Sequence, residues 1–182
     1  MSAPSAVPQR EPGFANPLLA GLQTALAKLN GLLMYLSVVA LLLTSAVLTY
    51  AVVARYFFKA PTDWQDEASV FMLVGATFLT SGYVQAARGH VGIEAVAGWL
   101  PAGVNRVRLA LIDVLSLAFC AFFAWKSWTL LHEAWTDNQT TTSTFAPPLW
   151  IPYGLMAVGM SILVLQLAMQ TLSHFARQRE AT

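Results

Sequence analysis

Four long stretches nearly free of charge limit what this chain can fold into. They run from about Gly31 to Ala54, Ala68 to Ala87, Leu109 to Leu131 and Leu149 to Leu172. Only the third carries ionisable side chains of the Asp or Lys kind, namely Asp113 and Lys126. A hydrocarbon core about 30 Å thick is crossed by roughly 20 apolar residues in a helix. Each stretch meets that length. A lipid interior also leaves no solvent for unpaired backbone groups, so helices are the natural spanning form. The expectation is therefore an all-α membrane protein with four transmembrane helices.

Composition agrees. The 182 residues are 57% hydrophobic and only 10% charged, far below the roughly 25% charge of a soluble domain. The net charge of +1 gives no reason to expect a nucleic-acid partner. The single Cys120 lies within an apolar run and has no intramolecular partner, so the redox compartment stays open. The first stretch is too long for a signal-peptide core and follows a polar, proline-containing leader, so it is expected to remain as an anchor.

The connections carry their own signals. Residues 1–16, with Pro4, Pro8 and Pro12, read as a flexible tail. Between Pro17 and Asn30, Leu18, Leu19, Leu22, Leu26 and Leu29 recur near helical spacing around Lys28. That pattern fits a short interfacial helix or an extension of the first span. Residues 17–175 then form one transmembrane domain, followed by a cytoplasmic tail over 176–182. Pro61 bars helix continuation, and Thr62 or Asp63 can cap the next helix, with Asp66 and Glu67 in its first turn. Gly89 and Gly92 break that helix, and Pro101 and Gly103 precede the third. After Trp135 a polar loop leads to Pro147 and Pro148, which are expected to open the fourth helix, with Pro152 still near its first turn. No internal repeat is visible.

Basic residues near span ends set the orientation. With a cytoplasmic N-terminus, the inner side holds Arg10, Lys28, Arg88, Arg106, Arg108, Arg177 and Arg179; the outer side holds Arg55, Lys59 and a snorkelling Lys126. N-in, C-in is therefore expected. Trp64, Trp125, Trp128, Trp135 and Trp150 then fall towards the outer ends, together with Asp63, Asp66, Glu67, Glu133 and Asp137. An acidic, aromatic face of this kind could receive a partner protein.

Few residues invite chemistry. His90 and His174 share the inner side and are the only histidine pair able to hold a haem; His132 lies across the membrane. No spacing typical of a metal site or of a nucleophile and its base occurs, so neither cofactor nor catalysis is expected. Gly75 and Gly82 lie seven apart on one helix face, near Ala68 and Ser81. Such a face permits close packing, either with another subunit or within this bundle. Asp113 lies about 8 Å inward from Arg108 at 1.5 Å per residue, where Arg88 or Arg106 could neutralise it. Arg55, Asp66 and Glu67 flank one short turn. They either form an ion pair that locks the hairpin or stand as independent solvated charges.

With these residues in view, the chain resembles the small membrane subunit (DctQ type) of tripartite ATP-independent periplasmic, or TRAP, transporters. The first span ends Arg55-Tyr56-Phe57-Phe58, and the second opens Trp64-Gln65-Asp66-Glu67. The second is followed by Arg88-Gly89-His90-Val91-Gly92-Ile93-Glu94, and the fourth opens Pro148-Leu149-Trp150-Ile151-Pro152. The family's acid pair often reads Glu-Glu, and Asp66 departs from it. The first 30 residues and the C-terminal tail contribute nothing to the likeness.

The resemblance implies a non-enzymatic scaffold in a bacterial inner membrane. Its partners would be a large sodium-coupled elevator subunit, a periplasmic substrate-binding protein and lipid, and the solute often a carboxylate. Arg55, Trp64, Asp66, Glu67, Arg88, His90, Asp113 and Trp150 would be its structural or interface residues. The spans are expected to lack the buried polar groups and broken helices of a substrate site. Two other classes remain: a haem-binding anchor of a respiratory oxidoreductase, and a small autonomous four-span transporter. The lack of a mid-membrane carboxylate argues against proton-coupled exchange in the latter.

Overall fold

A computed structural model describes residues 17–87 and 102–180. They form four long helices: α1 (Pro17–Val53), α2 (Asp63–Ala86), α3 (Ala102–Thr136) and α4 (Trp150–Glu180). All four are long and apolar enough to cross a membrane, and no strand occurs among the described residues. Helix α1 packs on α2, α2 on α4, and α4 on α3. The central pair is therefore α2 and α4, with α1 and α3 as the outer members. Within the most apolar part of each span, 44% of α4 is buried but only 6% of α3.

The first helix is one uninterrupted element from Pro17. Of the two readings of residues 17–30, the extension of the first span is the one adopted. Gly21 and Gly31 do not interrupt it. Helix α1 ends in a π-helical turn, Ala54–Phe58. At about 1.5 Å per residue the whole rod is roughly 60 Å long, about twice the hydrocarbon thickness. It therefore tilts strongly or extends past the apolar core. Lys59 stops it by adopting a left-handed conformation (φ 49°, ψ 30°) and returning its N–H to the Ala54 carbonyl. Pro61 follows, as its fixed φ and missing donor require.

Helix α4 differs from expectation at its start. It begins at Trp150, so Pro147 and Pro148 lie before it and not in its first turn. The Pro147 carbonyl serves the loop and the Pro148 carbonyl the first turn of α4. The Thr141 N–H donates to Pro147 O (3.1 Å), and Ile151 N–H to Pro148 O (3.4 Å). Leu149 N–H closes the loop on Gln139 O (2.9 Å). At the other end, α4 stays helical through Glu180, past the end of its apolar span at Leu172.

The interior is rich in small and polar side chains, joined by Leu26, Met160, Leu167 and Met169, and most large apolar side chains face outward. Buried positions include Ala51, Ala54, Ala76, Ala134 and Ala157, whereas Leu42, Phe119, Trp125 and many others are exposed. Lipid is as apolar as leucine, so helices in a bilayer gain from close approach and internal hydrogen bonds more than from apolar burial. Helix α1 shows the pattern clearly. Asn30, Ser37, Thr44 and Ala51 recur every seventh residue and all are buried. Ser37 and Thr44 donate to the carbonyls of Leu33 and Ala40, each at 2.8 Å, so neither hydroxyl is left unpaired.

Glycines set the α2–α4 spacing. A Cβ on Gly159 would lie 2.5 Å from the Phe78 carbonyl oxygen, and one on Gly75 would lie 3.0 Å from Leu155 Cδ1. A Cβ on Gly82 would meet Asn30 Oδ1 at 2.8 Å and Ile162 Cγ2 at 3.1 Å. The Gly75/Gly82 face is thus turned into this bundle, the second of the two uses open to it. Helix α3 is held by Trp128 Nε1–H donating to Ser161 Oγ (3.0 Å) and by stacking of Phe123 on Phe78 (6.3 Å between centroids).

Candidate functional site

The charged end of the bundle is built around the first turn of α2. Thr62 occupies the position before the helix, yet its hydroxyl makes no capping bond. It accepts instead from Arg55, through Nε at 3.0 Å and through Nη2. The expected choice between Thr62 and Asp63 as a side-chain cap is resolved against Thr62, because its oxygen is engaged by Arg55. Arg55 Nη2 also pairs with Asp66 Oδ2 at 2.7 Å. One guanidinium thereby joins the π turn of α1 to the start of α2, with Thr62 3% exposed beneath it. The ionic part is open to solvent, with side-chain exposures of 61% and 51%. Such a pair contributes about 0.2–1 kcal/mol in water.

Glu67 has a different partner. The expected trio of Arg55, Asp66 and Glu67 is divided. Glu67 Oε1 accepts from Thr141 Oγ1 at 2.5 Å, bridging α2 to the loop between α3 and α4. Thr141 Oγ1 lies 3.3 Å from Ser143 Oγ, which accepts the Ala146 N–H at 3.2 Å. Adjacent acids on α2 therefore hold both connections at this end: Asp66 the turn after α1, Glu67 the loop before α4. The loop is further shaped by left-handed Asn138 (φ 49°) and Ala146 (φ 44°).

Aromatic side chains surround these ties. Trp135 and Trp150 meet edge to face, 5.2 Å between centroids, and fasten the end of α3 to the start of α4. Tyr56 and Phe57 form a second such pair at 5.2 Å. Trp64 and Phe145 are exposed. Lys126 places Nζ 4.9 Å over the Trp125 ring, a cation–π contact on the exposed side of α3.

The opposite end is held by amides. Asn30 Nδ2 donates to Gln166 Oε1 at 3.2 Å, joining α1 to α4. Gln85 Nε2 donates to Gln170 Oε1 at 2.9 Å, and Gln170 Nε2 to the Gln85 carbonyl at 3.1 Å, joining α2 to α4. Buried polar side chains do occur: Ser127 and Gln170 within the expected spans, and Asn30 and Gln65 just outside them. The amides of Asn30, Gln85, Gln166 and Gln170 clamp helices together, whereas Gln65 Oε1, at the Arg55 end, has no hydrogen-bond partner among the described residues. An Asn or Gln inside an apolar stretch is itself a signal, because lipid offers it no partner. Its partner is not readable from sequence.

Asp113 is half-buried on α3. Arg88 and His90 lie outside the described residues, as does the linker that contains them. The side chains of Arg106, Arg108 and His174 also lie outside them. Among the described residues, no three His, Cys, Asp or Glu side chains gather to hold a metal.

Four apolar helices, polar clamps between them and ionic ties at one end define a multi-pass helical membrane protein whose charged groups fasten elements together. The profile of the DctQ component of tripartite ATP-independent periplasmic transporters matches residues 44–177. The chain belongs to this family, the DctQ components of TRAP transporters, and is a multi-pass protein of the bacterial inner membrane. It is similar to the C4-dicarboxylate TRAP transporter small permease protein DctQ of Vibrio cholerae serotype O1 (strain ATCC 39315 / El Tor Inaba N16961). The two are 26% identical over a match covering 70% of this chain and 66% of that protein. The match thus spans slightly less than two thirds of the relative's length. Members of the family are transporter subunits and not enzymes.

Proposed function

We propose that this subunit is a fixed scaffold. It braces a large, sodium-coupled membrane subunit while that subunit moves, and its Arg55 end helps seat a periplasmic substrate-binding protein. The observation that carries this reading is the double tie on α2. Asp66 holds the turn after α1 through Arg55, and Glu67 holds the α3–α4 loop through Thr141. A surface whose two connections are fastened to one helix is ordered before a partner arrives, which lowers the entropy lost on docking.

In this reading both termini are cytoplasmic, following the distribution of Arg and Lys around the spans. The Arg55 end then faces the periplasm, with acidic Asp63, Glu133 and Asp137 beside exposed Trp64 and Phe145. Arg55, Trp64, Asp66, Glu67 and Trp150 act there as structural and interface residues. Arg88, His90 and Asp113 act at the cytoplasmic side. The C4-dicarboxylate in the name of the Vibrio relative supports a carboxylate solute.

Co-purification in mild detergent tests the class of assembly. Recovery of a much larger polytopic protein is the expected result. Purification solely as a self-contained homo-oligomer overturns the scaffold reading. Uptake assays with and without the binding protein then test the docking role of the Arg55 end.

A further inference from the structure

We draw no further inference here: the strongest candidate, the open cavity of about 580 Å³ walled by Leu41 of α1 and Phe119 of α3 over a floor of Ala76, Thr80 and Ser81 of α2, is an apolar groove for which nothing in the structure shows what covers it.

Discussion

Glu67 and Thr141 stand 74 residues apart in sequence and share a 2.5 Å hydrogen bond between carboxylate and hydroxyl. Removing the hydroxyl should loosen the α3–α4 loop without disturbing the spans. A hydrogen bond to a charged group contributes about 1.5–3 kcal/mol, and this one is part-buried. Thr141→Val should raise amide hydrogen exchange in residues 137–149 and leave the middle of α2 and α4 protected. Thr141→Ser should retain most of the protection. Equal exchange in the Val variant and the parent would show that the contact does not order the loop.

The Arg55 cluster has two components that salt can separate. Asp66 is held by charge in an exposed setting, and Thr62, a residue 3% exposed, by its neutral hydroxyl oxygen. Double-mutant cycles on unfolding in detergent should give Arg55–Asp66 a coupling of about 0.2–1 kcal/mol that shrinks as salt is raised. The Arg55–Thr62 coupling should change little over the same range. Arg55→Lys keeps the charge but loses the two-nitrogen grip on Thr62, so it should weaken the Thr62 coupling more than the Asp66 coupling. Identical salt dependence of the two couplings would contradict this division.

The number of spans and most of their ends were legible because they rest on local causes. Long apolar runs select membrane helices, and Pro61 bars any helix from running on past the Lys59 stop, wherever the rest of the chain lies. The side-chain ties rest on non-local causes. Glu67 sits beside Asp66, and nothing in the run of residues tells it to choose Thr141 over Arg55. That choice follows from helix phase: neighbouring positions on α2 point about 100° apart. One faces the α1 turn and the other faces the loop. The two prolines before α4 divide in a related way. The Pro147 carbonyl is taken by Thr141 in the loop, a non-local choice, whereas the Pro148 carbonyl is taken by Ile151 in the first turn of α4. The role of Gly159 is not legible in the sequence, since it depends on which residue of α2 crosses it.

That crossing makes Gly159 the least replaceable glycine among those described. A Cβ there would lie 2.5 Å from Phe78 O and 2.6 Å from its carbonyl carbon, both backbone atoms that cannot rotate away. At Gly154 a Cβ would meet only Leu131 Cδ1, at an ordinary 3.7 Å. Gly159→Ala should therefore force α2 and α4 apart and cost about 1–3 kcal/mol, the usual range for overpacking. Gly154→Ala should be near neutral in the same thermal unfolding assay. If both variants melt like the parent, the close α2–α4 crossing is absent in the membrane.

A subtler test lies where Asn30 meets Gly82. Asn30 is 1% exposed, and its Oδ1 has no hydrogen-bond donor among the described residues. It rests against the bare Cα of Gly82, so a Cβ there would come within 2.8 Å of it. Gly82→Ala should be destabilising for that reason, with Ile162 Cγ2 at 3.1 Å adding to the crowding. Asn30→Ala should also be destabilising, since it breaks the bond to Gln166; interhelical side-chain bonds in membranes average about 0.6 kcal/mol. The combined variant removes the oxygen that the new methyl group strikes. Its loss of stability should be smaller than the sum of the two single losses, because residues in contact couple. Strict additivity in the double variant would mean that Asn30 and Gly82 do not touch.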